Sequence, residues 1–150
     1  MSSVISILII LGSLAWPFIL LLPWKPWSTR ESLDNGDSSS ETDLSDVTVL
    51  IPARDEAESI ATTLGALERQ GKNLAVIVID DQSSDGTADV AKTTFRGELR
   101  VLNGKDLPEG WVGKLWALEQ GRQLATTDLI MLLDADIELA PGTIGTLKSK

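Results

Sequence analysis

The chain has 150 residues, of which 22 are acidic and 13 basic, for a formal net charge of −9, and it contains neither histidine nor cysteine. These absences exclude disulfides, thiol nucleophiles, Ser-His-Asp triads and zinc sites built from Cys or His. A general base must therefore be Asp, Glu or Lys, and a metal must be held by oxygen ligands, which suits Mg²⁺, Mn²⁺ or Ca²⁺. The acidic balance argues against nucleic acid as a partner, because nucleic-acid binding uses clustered basic residues.

The chain begins with an apolar segment, residues 4–22, that carries no charge and is long enough to cross a bilayer as a helix. A cleaved signal peptide is the alternative, but no basic residue precedes the segment and no small-residue cleavage site follows it. Lys25 and Arg30 lie just after it, which by the positive-inside rule places the rest of the chain in the cytoplasm. We therefore expect residues 1–24 to form a single-pass anchor in the cytoplasmic (inner) membrane.

The next stretch, residues 25–46, is rich in serine and acidic residues. It has too few large apolar side chains to bury a core, so it is predicted to be a solvated linker. Residues 47–150 are predicted to form the globular domain.

Apolar and amphipathic segments alternate through this domain. Strands are predicted at 47–51, 74–79, 99–102 and 129–133, and helices at 56–70, 87–95, 114–125 and from 141 onward. In the third helix we expect Leu115, Leu118 and Leu124 to face the core. The order β-α-β-α-β-α-β implies an α/β fold with a mostly parallel sheet and right-handed crossovers.

Polar clusters follow three of the four predicted strands, at residues 52–56, 80–87 and 134–136. Each alone can be a helix cap or a turn, but the carboxyl ends of parallel strands meet at one sheet edge, where α/β proteins bind ligands. Asp134 and Asp136 project to the same side if the segment is extended, so both could face one divalent cation. Arg54 and Lys114 are the basic residues most able to reach the same cleft.

Other nucleotide-binding patterns fit less well. No G-x-G-x-x-G follows the first strand, and Gly113-Lys114 lacks the flanking residues of a P-loop. A receiver domain expects its acidic pair after the first strand, whereas the pair here follows the second. A sugar-nucleotide pyrophosphorylase expects a glycine-rich basic loop after the first strand, and residues 52–56 are not one.

The motifs V-T-V-L-I-P-A-R-D-E (47–56), V-I-D-D-Q-S-S-D-G-T (78–87) and L-L-D-A-D (132–136) resemble those of family 2 glycosyltransferases with the GT-A fold. The stretch G-W-V-G-K-L-W-A-L (110–118) narrows the resemblance to the hopene-associated, membrane-anchored glycosyltransferases, and more distantly to ceramide glucosyltransferases. The resemblance covers about residues 47–145.

This resemblance implies a nucleotide-sugar site. It gives the nucleotide pocket to Pro52, Ala53, Arg54 and Glu56, with the main chain near Ala53 beside the base or ribose. It also implies that the Asp80-Asp81 pair supplies the carboxylate that hydrogen-bonds uracil.

The same resemblance gives the diphosphate to Lys114 and identifies 134–136 as a D-x-D motif. Asp136 would bind Mn²⁺ or Mg²⁺, and Asp134 would lie near the ribose or a metal-bound water.

The implied reaction transfers a sugar, with inversion, from a nucleotide-sugar, expected to be a UDP-sugar, to a lipid acceptor such as a hopanoid. Family members continue well beyond this length, so we expect the acceptor site and the general base beyond residue 150 and no transfer by this chain alone. Glu138 is a weaker candidate for the base. The alternative is a non-catalytic, membrane-tethered subunit, or a gene fragment, that only binds nucleotide-sugar.

Overall fold

The computed structural model describes residues 4–6, 9–10, 12–13 and 41–150, and the chain divides into two units, Met1–Ser32 and Leu33–Lys150. The described residues of the first unit are helical. Across the described part of the chain, no helix has both the length and the apolar character needed to span a bilayer. Most of the predicted anchor at 4–22, and most of the predicted linker at 25–46, lies outside the described residues.

Strands and helices alternate through the second unit, as the sequence predicts. In chain order they are β1 Val47–Ala53, α1 Ile60–Leu67, β2 Ala75–Asp80, α2 Thr87–Thr94, β3 Glu98–Asn103, α3 Gly113–Arg122, β4 Leu129–Leu132 and α4 Thr143–Lys148. The largest difference from the prediction is that α1 begins at Ile60 instead of residue 56. The preceding residues form a loop because their amide groups donate to the loop after β2 rather than to a helix.

The four strands form one sheet in the order β3-β2-β1-β4, and every neighbouring pair is parallel. The predicted parallel α/β sheet is therefore confirmed. β1 and β2 are central and almost wholly buried, whereas β3 and β4 lie at the edges and are more exposed. The carboxyl ends of β1, β2 and β4 meet at the edge of the sheet where the sequence places its polar clusters.

Most of the core lies on one face of the sheet, beneath α1, α2 and α4. Ile60 and Leu64 of α1 are fully buried against Val49 and Val76 of the sheet, and Ile144 of α4 joins the same cluster. The spacing of the buried α1 residues is the helical periodicity that the sequence shows.

The other face is covered by α3, which approaches the sheet closely. A side chain at Gly121 would bring its Cβ within 2.7 Å of Ile79, so glycine permits this approach. The helix packs through Ala117 and its neighbour Leu118, whereas Leu115 is 58% exposed. The prediction that Leu118 faces the core is confirmed, whereas the same prediction for Leu115 and Leu124 is wrong, because the small residues at 117 and 121 set the buried side of the helix.

Gln70 connects the end of α1 to the start of α4 and is completely buried. Its amide nitrogen donates to the carbonyls of Ala66 at 3.1 Å and Ala140 at 2.9 Å, and its oxygen accepts from the amide of Ile144 at 3.2 Å. The last of these bonds satisfies the amide of Ile144, a buried residue in the first turn of α4, where helix amides have no carbonyl of their own helix to bond. The carbonyls of Ala66 and Ala140 also accept hydrogen bonds from Arg69 and Thr143. Gln70 thereby fixes the segment that follows β4.

Candidate functional site

A cavity of about 330 Å³ lies at the carboxyl edge of the sheet. Its lining comes from the loop after β1, the end of β2, the start of α3 and the segment after β4. The lining residues are Pro52, Ala53, Arg54, Glu56, Asp81, Lys114, Ala117, Asp134, Ala135 and Asp136. The structure thus brings together every residue predicted to bind nucleotide or metal except Asp80.

A larger cavity of about 620 Å³ lies at the opposite edge, beside Leu74 and Glu98, where β2 and β3 begin. Ligands of open α/β sheets bind beyond the carboxyl ends of the strands, so the smaller cavity is the candidate functional site.

The loop after β1 is held in place by the loop after β2. The hydrogen bonds run from the amide of Glu56 to Thr87 Oγ1 (2.9 Å), from the amide of Ala57 to Asp85 Oδ2 (2.9 Å) and from the amide of Ser84 to Asp55 Oδ1 (2.8 Å). The Thr87 hydroxyl, followed by the Ala57 amide, lowers the pKa of Asp85 below its ordinary value, because both stabilise the carboxylate. Arg54 and Glu56 therefore lie in a loop that these hydrogen bonds hold in place, and neither residue belongs to a helix or strand.

Two residues in these loops adopt a left-handed backbone conformation that is uncommon outside glycine. Asp55 has a φ of 53° and Gln82 a φ of 62°. Non-glycine residues in this region concentrate at functional sites, where the surrounding structure imposes the conformation. Both residues adjoin cavity-lining residues, since Asp55 lies between Arg54 and Glu56, and Gln82 follows Asp81.

Of the adjacent aspartates at the end of β2, only Asp81 lines the cavity. Asp81 Oδ2 lies 3.7 Å from Arg54 Nη1, and the Asp81 amide donates to the carbonyl of Ala53 at 2.8 Å. Asp80 is 8% exposed, and its carboxylate accepts a hydrogen bond from the Ser83 amide at 3.1 Å. Asp80 therefore shapes the loop, while Asp81 presents its carboxylate to the cavity.

The segment after β4 contributes Asp134 and Asp136, which flank the buried Ala135 and are both exposed. The amide of Ile137 donates to the carbonyl of Asp134 at 3.3 Å, so the segment turns here. The predicted extended conformation over Asp134–Asp136 is therefore wrong, although both residues still line the cavity. Ala135, which lies between them, packs its side chain into the core.

Lys114 reaches across the cavity from the first turn of α3. Its Nζ donates to Asp134 Oδ1 at 2.7 Å, and both side chains are more than half exposed. The lining then holds two basic residues, Arg54 and Lys114, against four acidic ones (Glu56, Asp81, Asp134 and Asp136), a formal charge of −2. Additional positive charge is needed before this cavity can accept an anion such as a diphosphate.

The carboxylate oxygens of the cavity suit a hard divalent cation whose remaining ligands come from a substrate. Within the described part of the chain, no group of three or more acidic side chains is arranged to hold a metal by itself. Mg²⁺ and similar ions are commonly held by one or two carboxylates together with substrate phosphate oxygens and water. Asp134 and Asp136 fit that second type of site.

Glu138, which the sequence offers as a weak candidate base, lies outside the cavity. Its carboxylate is 3.1 Å from Arg69 Nη2 on the outer surface, and both side chains are more than half exposed. The turn after Asp134 breaks the extended alignment on which that candidacy rests.

Sequence reasoning missed Thr63, which supports the site from the core side. Thr63 of α1 is 1% exposed and contacts the main chain of Ala135. A polar residue at position 63, on the same stripe as Ile60, Leu64 and Leu67, is the signal that could have identified it.

A model of the family described as Glycosyl transferase family 2 matches residues 48–149 of the chain. Two similar curated proteins are 4,4'-diaponeurosporenoate glycosyltransferases. The one from Staphylococcus haemolyticus (strain JCSC1435) is 33% identical over 62% of this chain, and the one from Staphylococcus aureus (strain USA300) is 36% identical over 61%. The chain spans 24%, about a quarter, of the length of each.

A similar solved structure is a mannosyltransferase from Pyrobaculum calidifontis in complex with GDP-Man and Mn²⁺. It has a TM-score of 0.66 and 25% sequence identity, and the match covers 94% of this chain and 41% of that one. This similarity confirms the predicted GT-A-type fold of the α/β domain.

Proposed function

The chain belongs to glycosyl transferase family 2, and on that basis we propose that the cavity at the carboxyl edge of the sheet binds the nucleotide diphosphate of a sugar donor. The observation that carries this proposal is the convergence of Arg54, Lys114 and Asp81 with the pair Asp134 and Asp136 around one cavity. Basic groups suit a diphosphate, a carboxylate suits the ring N–H of a base, and a carboxylate pair suits a divalent cation.

Each group has a defined task in this arrangement. Pro52 and Ala53 border the base and ribose, and the Asp81 carboxylate accepts a hydrogen bond from the base. Lys114 faces the diphosphate, while Asp134 and Asp136 hold Mn²⁺ or Mg²⁺. When bound, the cation stabilises the negative charge that develops on the leaving diphosphate.

We propose a UDP-sugar as the donor, on the resemblance of residues 110–118 to the hopene-associated enzymes. The Pyrobaculum protein was solved with GDP-Man, so GDP is the nucleotide to compare directly with UDP.

For the acceptor we propose a lipid, with inversion at the anomeric carbon. The motif resemblance supports a hopanoid, and the curated relatives are named for transfer involving 4,4'-diaponeurosporenoate. Transfer requires an acceptor hydroxyl about 3–3.5 Å from the anomeric carbon and a base within hydrogen-bond reach of that hydroxyl.

We further propose that residues 4–22 anchor the protein in the inner membrane with the domain in the cytoplasm. The support is the uncharged segment followed by Lys25 and Arg30. An anchor would keep the donor site close to a lipid acceptor. Reporter fusions at residue 45 test the topology, and strong periplasmic reporter activity there would reverse it.

Titration calorimetry of the full chain in detergent tests the donor site. UDP and GDP are each titrated with Mn²⁺, with Mg²⁺ and with EDTA, first into the unchanged chain and then into Asp136→Ala. We expect UDP binding that requires the cation and is lost in Asp136→Ala. Asp89→Ala, at an exposed aspartate of α2 that pairs with Lys92, is the matched control and should bind normally. Equal UDP affinity with Mn²⁺ and with EDTA would refute the metal role of Asp134 and Asp136.

A second experiment tests the acceptor. Membranes that carry the chain are incubated with a labelled UDP-sugar and either a hopanoid or a diaponeurosporenoate acceptor. Because we expect no transfer by these 150 residues alone, neither lipid fraction should be labelled. Label in one fraction would refute that expectation and identify the acceptor class.

A further inference from the structure

Thr63 lies at the centre of α1, on the side of the helix that faces the sheet, and it is 1% exposed. A threonine inside a helix usually returns its hydroxyl to a carbonyl one turn earlier. The Thr63 hydroxyl instead donates to the carbonyl of Ala135, 72 positions along the chain, at 2.7 Å. This buried contact therefore joins α1 to the segment that carries Asp134 and Asp136.

The sheet does not extend far enough to hold that segment by itself. Pairing between β1 and β4 ends at Leu50 and Leu132, and the next hydrogen bond runs from the Leu133 amide to the Leu50 carbonyl at 3.0 Å. Pro52 follows on β1 and has no N–H with which to continue the ladder. Beyond Leu133, the main chain of the segment is held from behind by the Thr63 hydroxyl.

Ala135 is the residue whose orientation decides where its two neighbours point. Its side chain is 4% exposed and packs in the core, while Asp134 and Asp136 are exposed at the cavity. The Ala135 carbonyl lies in the peptide plane that joins Ala135 to Asp136, so the Thr63 hydroxyl fixes that plane directly. The buried Ala135 side chain holds the Cα to which Asp134 is joined on the other side.

We propose that Thr63 is a positioning residue for the cation and diphosphate site, because its hydroxyl sets the main chain of Ala135 and thereby holds Asp134 and Asp136 in the arrangement that binds the metal. This inference rests on the proposed function of that site. Groups that orient metal ligands from behind typically change metal affinity by about 10- to 100-fold when removed.

The test compares Thr63→Val, which removes the hydroxyl but keeps the shape, with Thr63→Ser, which keeps the hydroxyl. Calorimetry measures Mn²⁺ binding and then UDP binding at saturating Mn²⁺, under conditions where near-UV circular dichroism shows both variants folded. We expect Thr63→Val to bind Mn²⁺ about 10-fold more weakly and Thr63→Ser to stay within about 3-fold of the unchanged chain. Thr94→Val is the matched control, since that hydroxyl donates to the Val90 carbonyl within α2 at 2.8 Å.

Normal Mn²⁺ and UDP affinities in folded Thr63→Val would overturn the role of Thr63 and leave the proposed function standing. If Thr63→Val does not fold, Thr63→Ala replaces it, and equal affinities of Thr63→Ala and Thr63→Ser would overturn the role in the same way. If the unchanged chain binds UDP equally with Mn²⁺ and EDTA, the proposed metal site fails, and the role of Thr63 fails with it.

Discussion

Replacing Lys114 with methionine should shift two binding equilibria in opposite directions. In the structure the Lys114 ammonium donates to Asp134 Oδ1 at 2.7 Å, so it occupies an oxygen that a cation would use. When Mn²⁺ binds alone, it has to displace the Lys114 ammonium from Asp134. When Mn²⁺ binds together with a diphosphate, the ammonium can pair with the diphosphate instead. Lys114→Met should therefore strengthen the binding of Mn²⁺ alone and weaken the binding of UDP in the presence of Mn²⁺.

The exposure of the ion pair sets the size of the first effect. The Lys114 and Asp134 side chains are 56% and 55% exposed, so solvent screens their attraction. Exposed pairs contribute about 0.2–1 kcal/mol, which corresponds to a gain in Mn²⁺ affinity of roughly 1.4- to 5-fold. The second effect is larger, because a hydrogen bond to a charged group contributes about 1.5–3 kcal/mol, or roughly 10- to 150-fold in UDP affinity.

Calorimetry with MnCl₂ alone, followed by UDP at saturating Mn²⁺, measures both Kd values on the same protein. Lys92→Met is the matched control, because Lys92 also pairs with an aspartate on an exposed helix surface, Asp89 at 3.4 Å. It should leave both affinities unchanged. A Lys114→Met protein that binds Mn²⁺ less tightly than the unchanged chain would refute the competition between the ammonium and the metal.

Three further predictions concern stability. Leu64→Ala should lower the free energy of unfolding by about 2–5 kcal/mol, because Leu64 is fully buried. Leu115→Ala should lower it by less than about 0.5 kcal/mol, because Leu115 is exposed. Equal losses in urea titrations would contradict the packing of α3. Gln70→Ala should cost about 1–3 kcal/mol in the same assay, because it leaves the buried Ile144 amide without its partner, and a loss below about 0.5 kcal/mol would contradict this. Hydrogen bonds from Arg122 lower the pKa of Glu119 from 4.5 to about 2, so this pair stabilises the fold above pH 4.5 and its contribution is lost as the pH falls towards 2. Glu119→Gln should therefore reduce the dependence of thermal stability on pH in that window, and an unchanged profile would count against the pair.

The strand order along the chain and the edge of the sheet that carries the site could be predicted because they depend on local patterns. Buried runs such as 74–79 identify the central strands, and parallel strands place their carboxyl ends together. The family was predictable from three short motifs and is confirmed by the family model over residues 48–149. The narrower resemblance to hopene-associated enzymes stays a prediction.

Features that depend on tertiary contacts could not be predicted. Helix α1 begins at Ile60 instead of the predicted residue 56, because the segment after β2 accepts hydrogen bonds from the amides of Glu56 and Ala57. Leu115 is exposed because Gly121 lets α3 approach the sheet along a different side of the helix. The extended geometry assumed for Asp134 and its neighbours failed because a local turn forms where the β-ladder ends.

The strand order in the sheet also bears on when the cavity at its carboxyl edge is assembled during folding. Thr48 of β1 pairs with Ala75 of β2 across a short crossover, whereas Val47 of β1 pairs with Leu129 of β4, much farther along the chain. Longer loops cost more entropy to close, and distant pairings slow folding. We therefore expect the half of the cavity that contains Arg54 to form early and the half that contains Asp136 to join it late. In a refolding time course, metal-dependent nucleotide binding would then appear only in the slowest phase, after most of the secondary-structure signal has returned.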